Sequence, residues 1–129
     1  MISGLVMPTE LTEEEKDSLR RSFKRCRENT VDAIINLRQT GDPSFIPEIL
    51  RGIVWRYVPA ETRPVVDTST LETPLASLGI DSLMMLEVVL DVQDALDIVI
   101  EDADLRRVQT IGDVNELLAQ RFTEAHQKG

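Results

Sequence analysis

The chain has 129 residues, 42% of them hydrophobic and 29% charged, with 6 Gly and 6 Pro, which is the size of one ordinary domain or of a small domain carrying an extension. Low-complexity disorder, collagen and a membrane span fit that composition poorly, and the lone cysteine, Cys26, excludes an internal disulfide framework or a multi-cysteine metal site. The net charge of -9 belongs to the second half: residues 1–63 balance 10 Lys/Arg against 10 Asp/Glu, whereas residues 64–129 set 4 against 13. Such an acidic half repels nucleic acid and anionic membrane and steers towards a basic protein surface. Residues Met1 to Pro8 show neither a basic n-region nor a long apolar run, which predicts no secretory signal and makes the cytoplasm the expected compartment. The one histidine, His126, falls in a predicted tail, so neither a zinc site nor a base for a catalytic serine is expected.

The first helix start is Thr12, where Thr12 and Glu15 form a capping-box pattern and Glu13 to Glu15 suit the positive helix end. Leu19, Phe23 and Cys26 then recur at helical spacing. Near Asn29 the pattern breaks. Either Thr30 caps a second helix through Val31, Ile34, Ile35 and Leu37 or Arg38, or residues 13–40 form one bent helix. Gly41-Asp42-Pro43 reads as a turn. A further helix is predicted from Ser44 to Tyr57, with Phe45, Ile49, Ile53 and Tyr57 repeating every four residues, Pro47 in its first turn and Pro59 beyond its end. Residues 59–81 read as a long loop anchored by Val65, Val66, Leu71, Leu75 and Leu78.

Helical periodicity returns after Asp81-Ser82. Leu83, Leu86, Val89 or Leu90, Gln93 and Leu96 trace one broad side, and Glu87, Asp91 and Asp94 line another. A short turn around Ala103 to Arg107 follows, and Thr110, with Asp113 at its N3 position, caps a last helix holding Ile111, Val114, Leu117, Leu118 and Phe122. Fraying is expected from Thr123. The expected fold class is all-α: a four-helix bundle over residues 44–124 with a long first loop, one or two extra helices within residues 1–43, and a flexible tail at 125–129.

The most informative stretch is Leu78-Gly79-Ile80-Asp81-Ser82-Leu83. Glycine lets the long loop turn, and Asp81 or Ser82 opens a helix. As a bare pattern this is a helix cap. It also sets Ser82 at a helix N-terminus, where free backbone N–H groups favour a phosphate.

Pro74-Leu75-Ala76-Ser77-Leu78-Gly79-Ile80-Asp81-Ser82-Leu83 resembles the attachment motif of acyl carrier proteins and the related carrier domains of polyketide and peptide synthases. The likeness continues through the acidic helix Ser82 to Leu96, the linker Asp97 to Ile100, the short turn after Glu101-Asp102 and the Thr110-Ile111 helix start, over about residues 44–122. It implies a four-helix carrier-protein bundle and a non-catalytic shuttle. Ser82 would bear a covalent 4'-phosphopantetheine arm, with Asp81 its motif neighbour, and the arm's thiol would hold an acyl thioester. The helix after Ser82 would be the recognition helix, with Glu87, Asp91 and Asp94 as acidic docking positions and Leu83 and Leu90 as exposed apolar contacts. The implied partners are a phosphopantetheinyl transferase and acyl-processing enzymes such as a ketosynthase or an acyl-activating enzyme. No catalytic residue and no metal is implied.

Met84 and Met85 either pack in the core or touch the arm or a partner. Val89, Val92, Leu96, Ile100, Leu105 and Val108 are expected to line the interior. The departure from the family is the 43-residue extension, whose apolar stripe of Leu19, Phe23, Val31, Ile34 and Ile35 needs a cover. It folds back on the carrier, self-associates, or binds a dedicated partner through residues 12–40; its basic face is also set to pair with Glu87, Asp91 and Asp94. Cys26 is expected to pack inside this extension. The acyl group is read as a fatty, polyketide or other specialised chain. An aminoacyl or peptidyl carrier, and an unmodified structural or regulatory protein with a carrier fold, are the alternatives.

Overall fold

The computed structural model describes residues 11–127, with side chains to residue 125; residues 1–10, the side chain of His126 and the last residues of the expected tail lie outside the described residues. Among the described residues seven α-helices follow in order: α1 (Glu13–Ser22), α2 (Thr30–Thr40), α3 (Ile46–Tyr57), α4 (Arg63–Asp67), α5 (Ser82–Leu96), α6 (Asp102–Leu105) and α7 (Ile111–Gln127). Among the described residues there is no strand, only an isolated antiparallel bridge between Pro74 and Thr110. The all-α expectation holds.

Residues 13–40 form two helices, not one bent one. The capping box forms as its residues predict: Thr12 Oγ1 accepts from Glu15 N at 3.1 Å, and Thr12 N donates to Glu15 Oε1 at 2.9 Å. The break comes at Asn29, which takes a left-handed φ of 77°. Thr30 does not cap α2 but is its first residue, and its wholly buried hydroxyl has no hydrogen-bond partner among the described residues.

Thr30 is buried because α2 crosses α3 there with almost no clearance. A Cβ on Gly52 would come within 1.8 Å of Thr30 Oγ1 and 2.9 Å of its Cβ, so only glycine permits the crossing. Gly52→Ala should therefore cost about 1–3 kcal/mol through overpacking. Urea titration measures it, and an unchanged midpoint would show that the crossing opens freely.

α3 sits at the centre, with Ile46, Ile49, Leu50, Gly52, Ile53 and Val54 buried against α2, α5 and α7. The apolar stripe of α1 and α2 finds its cover in this same core. Leu19, Phe23, Ile34, Ile35 and Leu37 join one buried cluster with Ile49, Val92 and Phe122, and Val31 packs at its edge. Arg27, between α1 and α2, adds polar ties to Glu48 of α3 and Asp67 of α4, both at 3.0 Å.

Cys26 packs against α3 and not only within its own segment. Burial pushes its thiol up to about 11, opposed by the neighbouring Arg56 guanidinium. A folded state that holds this proton loses stability as pH rises from the ordinary thiol value of 9.0, where only the unfolded chain ionises, up to the folded value. Tyr57, raised to about 12 by burial and by its hydrogen bond to Asp91, extends the same slope at higher pH. Stability should thus decline between pH 9 and 10, and Cys26→Ala should flatten that part of a pH series of urea midpoints.

Three expectations are corrected. Residues 59–81 are not a plain loop, since they hold α4 and two 3-10 turns, Ala60–Thr62 and Leu75–Leu78. Of their anchors Val66 and Leu78 are buried, whereas Val65 and Leu71 face solvent. At the other end α7 stays helical to Gln127, past the point where fraying was expected.

Candidate functional site

The stretch before α5 is held rigidly by the start of α7. Leu75 N donates to Gln109 O at 2.9 Å, Ile111 N to Thr73 O at 3.0 Å and Gly112 N to Leu71 O at 2.7 Å. Thr110 and Asp113 form the predicted capping box, with Asp113 N donating to Thr110 Oγ1 and Thr110 N to Asp113 Oδ2, both at 3.1 Å. The backbone N–H donors of Gln109 and Thr110 hold the Asp113 carboxyl below its usual range. The 3-10 turn buries Leu78 and ends at Gly79, whose φ of 76° turns the chain into Ile80 and Asp81.

Asp81 is the N-cap of α5: extended, with Oδ1 accepting from Met84 N at 2.8 Å. Met85 N bonds Asp81 O at 2.9 Å. The amides of Ser82 and Leu83, the first two of the helix, thus remain among the donors that a helix start cannot satisfy internally. The Ser82 side chain stands exposed among them. A phosphodiester on its oxygen would meet those two N–H groups and the positive end of the helix dipole.

Beside Ser82 opens a groove of about 780 Å³ between the 3-10 turn, α5 and α6. Leu75, Ile80, Met85, Leu86, Leu105 and Val108 make its walls apolar, and Arg106 and Gln109 bring polar atoms to them. Met85 therefore faces the groove while Met84 does not, which separates two residues that the sequence left equivalent. Leu105 and Val108, expected inside, are half-buried groove walls, whereas Val89, Val92, Leu96 and Ile100 are buried as expected.

At 3.6 residues per turn, Leu83, Leu86, Glu87, Leu90 and Asp94 fall on one face of α5 and Val88, Val89, Val92, Ala95 and Leu96 on the other. The outer face is exposed, with Leu83 at 69%, Leu86 at 50% and Leu90 at 61%. The broad side traced through Leu83, Leu86 and Leu90 is accordingly not the core side. Leu86 was missed as a surface residue, although its i+3 spacing from Leu83 placed it beside that residue.

Glu87 and Asp94 are exposed on the same face, but Asp91 is not with them. Its side chain is only 19% exposed and its Oδ2 accepts from Arg56 Nη1 at 2.9 Å and from Tyr57 OH at 2.7 Å. This pairing ties α5 to α3. The basic residues of α1 make no ion pair with Glu87, Asp91 or Asp94 in the described interactions; instead Arg38 of α2 reaches the backbone of α5.

Helices thus frame a pinned loop, with an exposed serine at a helix start and an apolar groove beside it. Residues 60–118 match the family described as "Phosphopantetheine attachment site". An acyl carrier protein of Exiguobacterium sp. is 51% identical over 37 residues, 29% of this chain and 47% of the relative, so the chain spans about half the length of the curated relative it matches. No solved structure matches the chain. Residues 60–118, somewhat under half of the chain, thus resemble a carrier domain of the acyl carrier protein family, whose cofactor is 4'-phosphopantetheine. The chemistry of the site fits the group: an exposed hydroxyl for the phosphodiester, helix-start amides for its charge and an apolar groove for what the arm carries. When bound, the arm supplies a terminal thiol for thioester formation. No helix among the described residues is long and apolar enough to cross a membrane.

Proposed function

We propose that the chain is an acyl carrier that holds its cargo as a thioester on a 4'-phosphopantetheine arm at Ser82 and presents it to separate enzymes. The observation that carries this reading is Ser82, exposed at the start of α5 beside an apolar groove. Residues 44–124 make the carrier unit and residues 1–43 an added segment. The chain itself performs no chemistry on the cargo; its residues bind, orient and release.

Asp81 shapes the site by capping α5 and does not hold the arm directly. Leu83, Leu86 and Leu90 form an apolar ridge, flanked by Glu87 and Asp94, on which a phosphopantetheinyl transferase and acyl-processing enzymes dock. Asp91 is withdrawn from that role by Arg56 and Tyr57. The acids steer encounter, whereas the ridge supplies contact area. The groove walls favour an aliphatic cargo in a fatty, polyketide or specialised lipid pathway over an aminoacyl one. Incubating the full chain with a phosphopantetheinyl transferase and coenzyme A tests the reading. Intact mass should rise by one phosphopantetheine group; an unchanged mass would favour an unmodified interaction protein.

A further inference from the structure

The C-terminal end of α5 is completed by a residue from outside the carrier unit. The last four carbonyls of a helix have no partner within it. At α5 these belong to Gln93, Asp94, Ala95 and Leu96. Gln93 O accepts from Ile98 N at 3.2 Å and from the amide of Asp97, which closes the helix in a left-handed conformation with φ 56°. The next two carbonyls are taken by one guanidinium: Arg38 Nη2 donates to Asp94 O at 2.5 Å and Arg38 Nε to Ala95 O at 3.1 Å.

Arg38 lies in the last turn of α2, fixed by the wholly buried Leu37 beside it and by Ile34 one turn earlier. A cation here also meets the negative end of the α5 dipole. The backbone it grips is that of Asp94, one of the two acids left on the outward face once Asp91 is paired inward. Removing Arg38 would leave two carbonyls to water, that of Ala95 in a part-buried setting and that of Asp94 in an exposed one, and free the turn that aims Asp94.

We propose that Arg38 is a positioning residue for docking: α2 fixes, through the carbonyls of Asp94 and Ala95, where the carboxylate of Asp94 stands for a basic partner surface. This rests on the acyl-carrier reading. The N-terminal segment is then part of the recognition apparatus without touching the partner.

The test is a double-mutant cycle on the full chain, with phosphopantetheinyl transferase and coenzyme A as the probe reaction. Arg38→Ala should raise the KM for the carrier about fivefold or more with kcat nearly unchanged. In an Asp94→Asn background the same substitution should have little further effect, because the group it positions has lost its charge. Amide exchange should rise at residues 93–98 and not in α3. Arg38→Lys, which keeps the charge but not the planar fork, should restore part of the KM and serves as the readable variant if Arg38→Ala folds poorly. An unchanged KM, an equal KM rise in both backgrounds, or a loss of thermal stability with KM intact would each overturn the proposal. Failure of the wild-type chain to be loaded would sink the acyl-carrier reading instead, so the two failures are distinguishable.

Discussion

Ser82→Ala is expected to abolish phosphopantetheinylation completely while leaving the fold intact. The substitution deletes the only atom that can form the phosphodiester in this reading, and no neighbouring hydroxyl stands at the same helix start. Ser77 is the nearest rival, but its hydroxyl donates to Pro74 O at 2.7 Å inside the 3-10 turn. Ser77→Ala should therefore still be loaded. Alanine is a good helix former and Ser82 is an exposed first-turn residue whose cap comes from Asp81, so stability should change by no more than about 0.5 kcal/mol. Intact mass spectrometry reads the modification and circular dichroism the fold. Loading that survives in Ser82→Ala would move the attachment point elsewhere and remove the basis for the groove's role.

Leu37→Ala should produce the largest loss of stability among these substitutions, about 2–5 kcal/mol. Leu37 is 0% exposed, and the methyl groups it loses would leave a cavity where α2 packs against α3 and α5. That loss is a large share of the stability of an ordinary domain. Its value lies in where it is read. Trp55 is the sole tryptophan and belongs to α3, so its fluorescence reports on the carrier unit while the mutation sits in the N-terminal segment before it. One core shared by both predicts a single urea transition, shifted as a whole. An unshifted Trp55 transition would mean that α1 and α2 fold separately.

Much of the local structure was legible because its causes are local. The box of Thr12 and Glu15, that of Thr110 and Asp113, the stop at Gly41 and the start of α5 at Asp81 all rest on groups within four residues of each other. Sequence spacing alone places these together. The site was legible for the same reason: Gly79, Asp81 and Ser82 act through one turn and one helix end. The break near Asn29 was legible as an interrupted pattern, but its left-handed backbone, which turns the chain from α1 into α2, was not. Thr30 was misjudged because its burial follows from Gly52, 22 positions away.

By itself, then, the sequence determined an all-helical chain, the position of its helix starts and an exposed serine at one of them. Only the tertiary structure decided which acids face outward. Glu87, Asp91 and Asp94 share one helical spacing, and nothing local separates them; Arg56 and Tyr57 from α3 withdraw Asp91. It also decided that the N-terminal helices belong to the core. An apolar stripe states that it must be covered but not by what, because burial depends on area and shape and not on chain order. The guanidinium of Arg38 on the last carbonyls of α5 is the clearest case, joining residues 56 and 57 positions apart through a contact that exists only once the chain has packed.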